Sequence, residues 1–72
     1  GMRSVDRGRS LSAWALPVLI GNNVFIGSNV KIMKGAIIGD GSVVANGALV
    51  IDEIPPNVVA GGIPAKAIRL LD

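Results

Sequence analysis

From residue 20 the chain falls into blocks of six: IGNNVF, IGSNVK, IMKGAI, IGDGSV, VANGAL and VIDEIP. Each block opens on an aliphatic residue: Ile20, Ile26, Ile32, Ile38, Val44 and Val50. The second place is small at Gly21, Gly27, Gly39 and Ala45, while Met33 and Ile51 break that run. The fifth place holds Val24, Val30, Ala36, Ser42, Ala48 and Ile54. A helix would space its apolar residues at three and four. It would also carry Gly21, Gly27, Gly35, Gly39, Gly41 and Gly47 in its interior, each at a cost of about 1 kcal/mol. The period is not helical. Places five and one lie two residues apart across each block boundary, which is strand alternation, and the rest of the block holds a turn.

Three such blocks close one triangular coil, and the next coil stacks on it at the strand spacing of ~4.8 Å. Like then stacks on like: Ile20 with Ile38, Ile26 with Val44, Ile32 with Val50. Gly21 falls by Gly39 and Gly27 by Ala45, at corners that tolerate little side chain. The expected fold is all-β, a hexapeptide-repeat parallel β-helix of about two to three coils. Residues 14–19, with Val18 at the fifth place, would supply a preceding side. Pro55 and Pro56 read as a stop, since neither donates to a paired strand. Beyond an extended NVVAGG, the segment IPAKAIRLLD reads as a short C-terminal α-helix with Pro64 in its first turn. The expected organisation is a tag scar and basic leader over 1–13, the β-helix over 14–55, and a C-terminal loop and helix over 56–72.

Composition limits what such a coil does. One Phe, one Trp and no Tyr leave a core of interlocking Val, Ile and Ala. The absence of cysteine rules out disulfides and thiolate zinc sites. The net charge of +2 belongs to the leader, where Arg3, Arg7 and Arg9 face Asp6 alone. Elsewhere Lys31, Lys34, Lys66 and Arg69 balance Asp40, Asp52, Glu53 and Asp72. Without aromatic residues among those arginines, nucleic-acid binding is not expected. Pro17 interrupts the apolar run of SAWALPVLI, and no stretch approaches the ~18 apolar residues of a membrane span. The expectation is a soluble, cytoplasmic protein. Two or three coils make a small core, and repeat folds want several units and a cap at each end. The chain therefore needs neighbouring subunits, preceding coils, or both.

The segment PVLIGNNVFIGSNVKIMKGAIIGDGSVVANGALVIDEIPPNVVAGGIPAKAIR, residues 17–69, resembles the C-terminal part of the hexapeptide-repeat acyltransferases. Its nearest likeness is the maltose/galactoside and xenobiotic acetyltransferase branch, and IPPNVVAGGIPAKAIR is the most specific part. The resemblance implies a left-handed coil, a homotrimer, and acetyl-CoA lying between neighbouring β-helices. Acetyl would pass to a hydroxyl or amine of a small acceptor, whose identity the sequence does not fix. In that family a histidine is the general base on the acceptor, in a coil before the NVFIG segment. This chain has no histidine, so no catalytic residue is assigned.

The resemblance leaves a cofactor side. Phe25 stands where the family usually has Trp beside the pantetheine arm, or else it packs on the outer face. Ser28 matches a cofactor-contacting position, or is a turn serine. Asn46 and Ile51 match groove positions usually held by Ala or Gly and by Thr. Asp52 replaces a family Lys, which sets an anion where phosphates would pass. Lys66 and Arg69, three apart on the expected helix, would share a face and meet the nucleotide end of CoA. No metal site is expected. The competing reading is a non-catalytic trimeric β-helix with a structural or assembly role. A γ-type carbonic anhydrase shares the fold but needs three histidines for its metal.

Overall fold

Each of the first five blocks of six becomes a two-residue strand and a four-residue corner. The computed structural model describes residues 16–71, so the leader over 1–13, Trp14, Ala15 and Asp72 lie outside the described residues. The strands are β1 (Leu19–Ile20), β2 (Phe25–Ile26), β3 (Lys31–Ile32), β4 (Ile37–Ile38) and β5 (Val43–Val44). They continue as β6 (Leu49–Val50), β7 (Glu53–Ile54), β8 (Val58–Gly61) and β9 (Lys66–Leu70). They form three sheets, the faces of a triangular prism. The first face is β1-β4-β7, the second β2-β5-β8-β9 and the third β3-β6. All pairs are parallel except β8 with β9.

The register is the one the period predicts. Ile20 pairs with Ile38, Ile26 with Val44 and Ile32 with Val50. These places point inward, and Ile38, Val44 and Val50 are fully buried with Ala36, Ala48, Ile54 and Ala60. Val24, Ile26, Val30 and Ile32 of the first coil are partly buried against them. Ile20, at the start of that coil, is 47% exposed against 1% for Ile38 one rung below.

The corners turn because one residue in each adopts positive φ. It is Asn23 at 59°, Asn29 at 57°, Gly35 at 80°, Gly41 at 75° and Gly47 at 76°, always the fourth place of its block. Only Gly, or Asn with its short polar side chain, adopts that region cheaply. In the sixth block the fourth place is Glu53, and no such corner forms. Only Ile51 and Asp52 separate β6 from β7. The last coil therefore closes short: Ile38 pairs with Ile54, sixteen residues on rather than eighteen.

Pro55 and Pro56 do not stop the coil. They form its next corner, ended by Asn57 at φ 58°, and β8 adds a third parallel rung to the second face through Val43–Val59 and Val44–Ala60. In three earlier corners the fifth-place N–H donates back to the second-place carbonyl, as Ala36 does to Met33 at 3.1 Å. Here the buried Ser42 hydroxyl stands between the two ends. Its Oγ donates to the Pro55 carbonyl at 2.6 Å and accepts from the Val58 N–H at 3.1 Å.

The expected C-terminal helix is a strand. β9 runs antiparallel to β8, with Lys66 opposite Gly61, Ala67 opposite Ala60, Arg69 opposite Val59 and Leu70 opposite Val58. A helix this short is marginal in water. The free edge of β8 offers backbone partners within reach of a four-residue loop, Gly62–Ala65, whose Gly62 sits at φ 96°. An extended run, a glycine-containing loop and a second apolar run make a hairpin signal. No helix among the described residues is long and apolar enough to cross a membrane.

Replacing Ser42 by Ala leaves the Val58 N–H without its acceptor inside the core. We expect a loss of ~1–3 kcal/mol, seen as a lower denaturant midpoint at unchanged slope.

Candidate functional site

The sixth place of each block points outward, and on the second face it builds a strip. Phe25 lies opposite Val43, Val43 opposite Val59, and Val59 opposite Arg69. Three strand spacings set the backbone positions of Phe25 and Arg69, at the two ends of that row, ~14 Å apart. Phe25 is 65% exposed, while Val43 and Val59 are half-buried beside it. The strip has an aromatic end, an aliphatic middle and a cationic end.

Lys66 and Arg69 do share a face, but not through a helix. In a regular strand, residues three apart point to opposite sides. The register of β9 slips between Ala67 and Arg69, so Ile68 is an extra residue. The slip returns Arg69 to the outer side, since its partner Val59 and Lys66's partner Gly61 are two apart on β8. Ile68 reaches over Gly61, where an added Cβ would come within 3.1 Å of its Cδ1.

Ser28 and Asn46 meet at the corner between the second and third faces. The Ser28 N–H donates to Asn46 Oδ1 at 2.9 Å, and the Ser28 carbonyl accepts from the Gly47 N–H at 2.9 Å. One corner earlier, the Asn22 N–H donates to Asp40 Oδ1 at 2.7 Å. These bonds explain the second-place glycines. A Cβ on Gly27 would strike Asn46 Oδ1 and come within 2.9 Å of its backbone nitrogen. A Cβ on Gly21 would strike Asp40 in the same way, at 2.8 Å from its backbone nitrogen. Among the described residues the third corner has no such bridge, and there Met33 and Ile51 keep large side chains.

Five of the six sequence-predicted residues thus gather on the second face and its far corner: Phe25, Ser28, Asn46, Lys66 and Arg69. Ile51 does not join them. It sits at the other edge of the third face, five residues beyond Asn46, or ~16 Å of extended chain. Sequence reasoning missed Val43 and Val59, the middle of the strip. Their signal was available in the pattern, because Phe25, Val43 and Val59 form a continuous apolar row on one outward face, unlike a lone exposed apolar residue. The strip fits an elongated ligand, apolar along its length and anionic at one end. Among the described residues no group of three His, Cys, Asp or Glu side chains is placed to hold a metal.

The bridge at the second corner separates a structural from a binding role for Asn46. Asn46→Asp keeps the acceptor and should leave stability unchanged. Asn46→Ala should cost about 1 kcal/mol, read by chemical denaturation.

The description "Bacterial transferase hexapeptide (six repeats)" matches residues 17–52. Among solved structures, a galactoside acetyltransferase in complex with coenzyme A is 52% identical, with TM-score 0.79, over 81% of this chain and 29% of that one. A maltose O-acetyltransferase from Clostridium difficile 630 is 45% identical, with TM-score 0.79, over 81% of this chain and 31% of that one. A hexapeptide-repeat acetyltransferase from Vibrio cholerae O1 biovar eltor, complexed with acetyl-CoA, is 39% identical, with TM-score 0.78, over 99% of this chain and 40% of that one. No curated protein matches the chain by sequence. The chain spans about a third of the length of these solved relatives. The six-residue period, the three-faced parallel coil and these likenesses agree: the chain belongs to the bacterial transferase hexapeptide-repeat family, with its left-handed β-helix.

Proposed function

We propose that this chain is the CoA-binding part of an acetyltransferase that moves acetyl from acetyl-CoA to a hydroxyl or amine of a small acceptor. The observation that carries the reading is the strip Phe25–Val43–Val59–Arg69, closed by Lys66 at its cationic end. Acetyl-CoA has the matching chemistry. Its pantetheine arm would lie along the aromatic and aliphatic part, near Phe25 and Ser28. Its nucleotide phosphates would meet Lys66 and Arg69, whose charge-assisted bonds are the strong ones at such an exposed site. Relatives with coenzyme A or acetyl-CoA bound support this reading.

Transfer requires a base to take the acceptor's proton as its oxygen or nitrogen attacks the thioester carbonyl and the CoA thiol leaves. The chain holds no histidine. Asp40 is committed to the Asn22 N–H, and Asp52 and Glu53 stand exposed at the shortened corner. The 72 residues alone therefore bind cofactor without turning it over. Ile51 lies on the wrong edge of the prism to face Phe25 within one chain. It enters the groove when copies stand side by side, which favours a homotrimer. The missing histidine also sustains a second reading, a non-catalytic trimeric β-helix that serves assembly.

Calorimetric titration with CoA decides between the two. Binding is expected, and a silent titration at millimolar CoA would reject the cofactor site. The pair Lys66→Ala/Arg69→Ala should weaken binding by about tenfold or more, since each lost charged hydrogen bond is worth ~1.5–3 kcal/mol. Asp52→Lys should tighten it by removing an anion from the phosphate path. No acetyl transfer is expected from the chain by itself.

A further inference from the structure

Five asparagines lie in the chain, and only Asn46 is followed by glycine. That dipeptide fills the second corner, with both residues exposed. The Ala48 N–H donates to the Ala45 carbonyl at 3.3 Å, and Gly47 holds φ 76°. These are the marks of a type II turn with Asn46 and Gly47 as its central residues. Ser28, one rung above, grips the pair at two points. Its N–H donates to Asn46 Oδ1, and its carbonyl accepts from the Gly47 N–H, both at 2.9 Å.

An asparagine side chain is open to attack by the backbone nitrogen that follows it. Gly47 hinders this least, since it has no Cβ beside that nitrogen. The Gly47 nitrogen gives its proton to solvent hydroxide and bonds to Asn46 Cγ. The Cγ–Nδ2 bond breaks, and ammonia leaves with a proton from water, closing a five-membered imide. Water then opens the ring at Cγ to give aspartate, or at the backbone carbonyl to give the β-linked isomer. The Ser28 N–H stands on Oδ1, where the oxygen gains charge as the nitrogen adds. Two features oppose the first step. The Gly47 N–H is held by the Ser28 carbonyl, and ring closure takes Asn46 away from its turn ψ of ~120°. Reaction therefore waits on opening of this corner, which is easier at an exposed turn than in the core.

The corner before it shows what the aspartyl product would do. Asp40 and Gly41 occupy the same two places there. Asp40 Oδ1 accepts the Asn22 N–H at 2.7 Å, and the Gly41 N–H donates to the Asn22 carbonyl at 2.8 Å. An aspartate at 46 has the same pair of bonds open to it. The β-linked isomer instead adds a carbon to the backbone of a corner whose length sets the register.

We propose that Asn46 is a site of spontaneous deamidation, and that its conversion to aspartate charges the second corner without dismantling it. The change puts an anion beside Ser28, at the edge of the strip from Phe25 to Arg69. An anionic ligand is disfavoured there, so the site ages from a binding to a more weakly binding form. The effect on the ligand rests on the CoA-binding reading, whereas the conversion does not.

Protein held at mildly alkaline pH is sampled over time, its acidic forms are separated by ion exchange, and peptide mass spectrometry locates the new acid. Residue 46 is expected to convert well ahead of Asn22, Asn23, Asn29 and Asn57. Gly47→Asn is the control. Asn23 and Asn29 hold positive φ at the same place, and a Cβ at 47 meets nothing within 4 Å, so the corner should survive. That variant should keep its denaturant midpoint and convert at 46 several times more slowly. The separated aspartyl form should keep the midpoint too, and bind CoA about twofold to fivefold more weakly, the scale of one exposed charge. Asn46 converting no faster than the other asparagines, or Gly47→Asn leaving the rate unchanged, would overturn the site. An aspartyl form that binds CoA as tightly as the amide form would overturn the change in binding. If neither form binds CoA, the cofactor reading fails while the time course still decides the site.

Discussion

The fold depends on one backbone conformation supplied every sixth residue. Asn23, Asn29, Gly35, Gly41 and Gly47 hold positive φ, and each turns the chain through one corner of the triangle. While the interval stays at six, the aliphatics stack in register and successive coils share a parallel hydrogen-bond ladder. The effect of losing the interval is visible in the same chain. Glu53 cannot take that conformation cheaply, the corner collapses to Ile51 and Asp52, and the coil shortens by two residues. The next corner is rebuilt from Pro55, Pro56 and Asn57, and it needs the Ser42 hydroxyl to join its two ends. A polar side chain in an apolar row is thus a consequence of the broken period.

Close approach at the corners decides where side chains can stand. Asp40 and Asn46 reach up one rung to accept a backbone N–H, and each fills the space a Cβ above it would need. Two edges of the prism are consequently smooth. The third lacks the bridge and carries Met33 and Ile51. The three edges of the prism are therefore not equivalent surfaces. The bridge at the second corner also fixes Ser28 and Asn46 beside the strip of the second face.

Much of this was legible in the residues. The aliphatic first place gave the faces, the register and the core, because buried stacking leaves little freedom of choice. The close corners at Gly21 and Gly27 were legible for the same reason. Asn or Gly at the fourth place, and its loss at Glu53, carried the corner conformation and the short coil, but that signal is visible only once place four is read separately. Pro55-Pro56 read as a stop because proline cannot donate within a strand. At a corner that donor is not needed. The C-terminal strand was hidden because KAIRL has no strong propensity of its own. Its state was set by the unpaired edge of β8, which a local reading does not weigh. Five of the candidate site residues came together, while the separation of Ile51 from them follows from three-dimensional closure alone.

The hairpin that replaced the expected helix also changes the physics at the cationic end of the strip. On a helix, Lys66 and Arg69 would have gained from free N–H groups at its first turn. On β9 they have no such aid, and only charge and guanidinium geometry are left to them. What they gain is alignment. Were Ile68 paired in the ladder as an ordinary strand residue, alternation would turn Arg69 to the same side as Ala67. The bulge places it in one row with Val59, Val43 and Phe25 instead, so that the charge stands at the end of an apolar track. A bulge at the edge also disfavours pairing of β9 with a further strand. One irregular position in β9 therefore both spoils the sheet edge and sets the direction of Arg69.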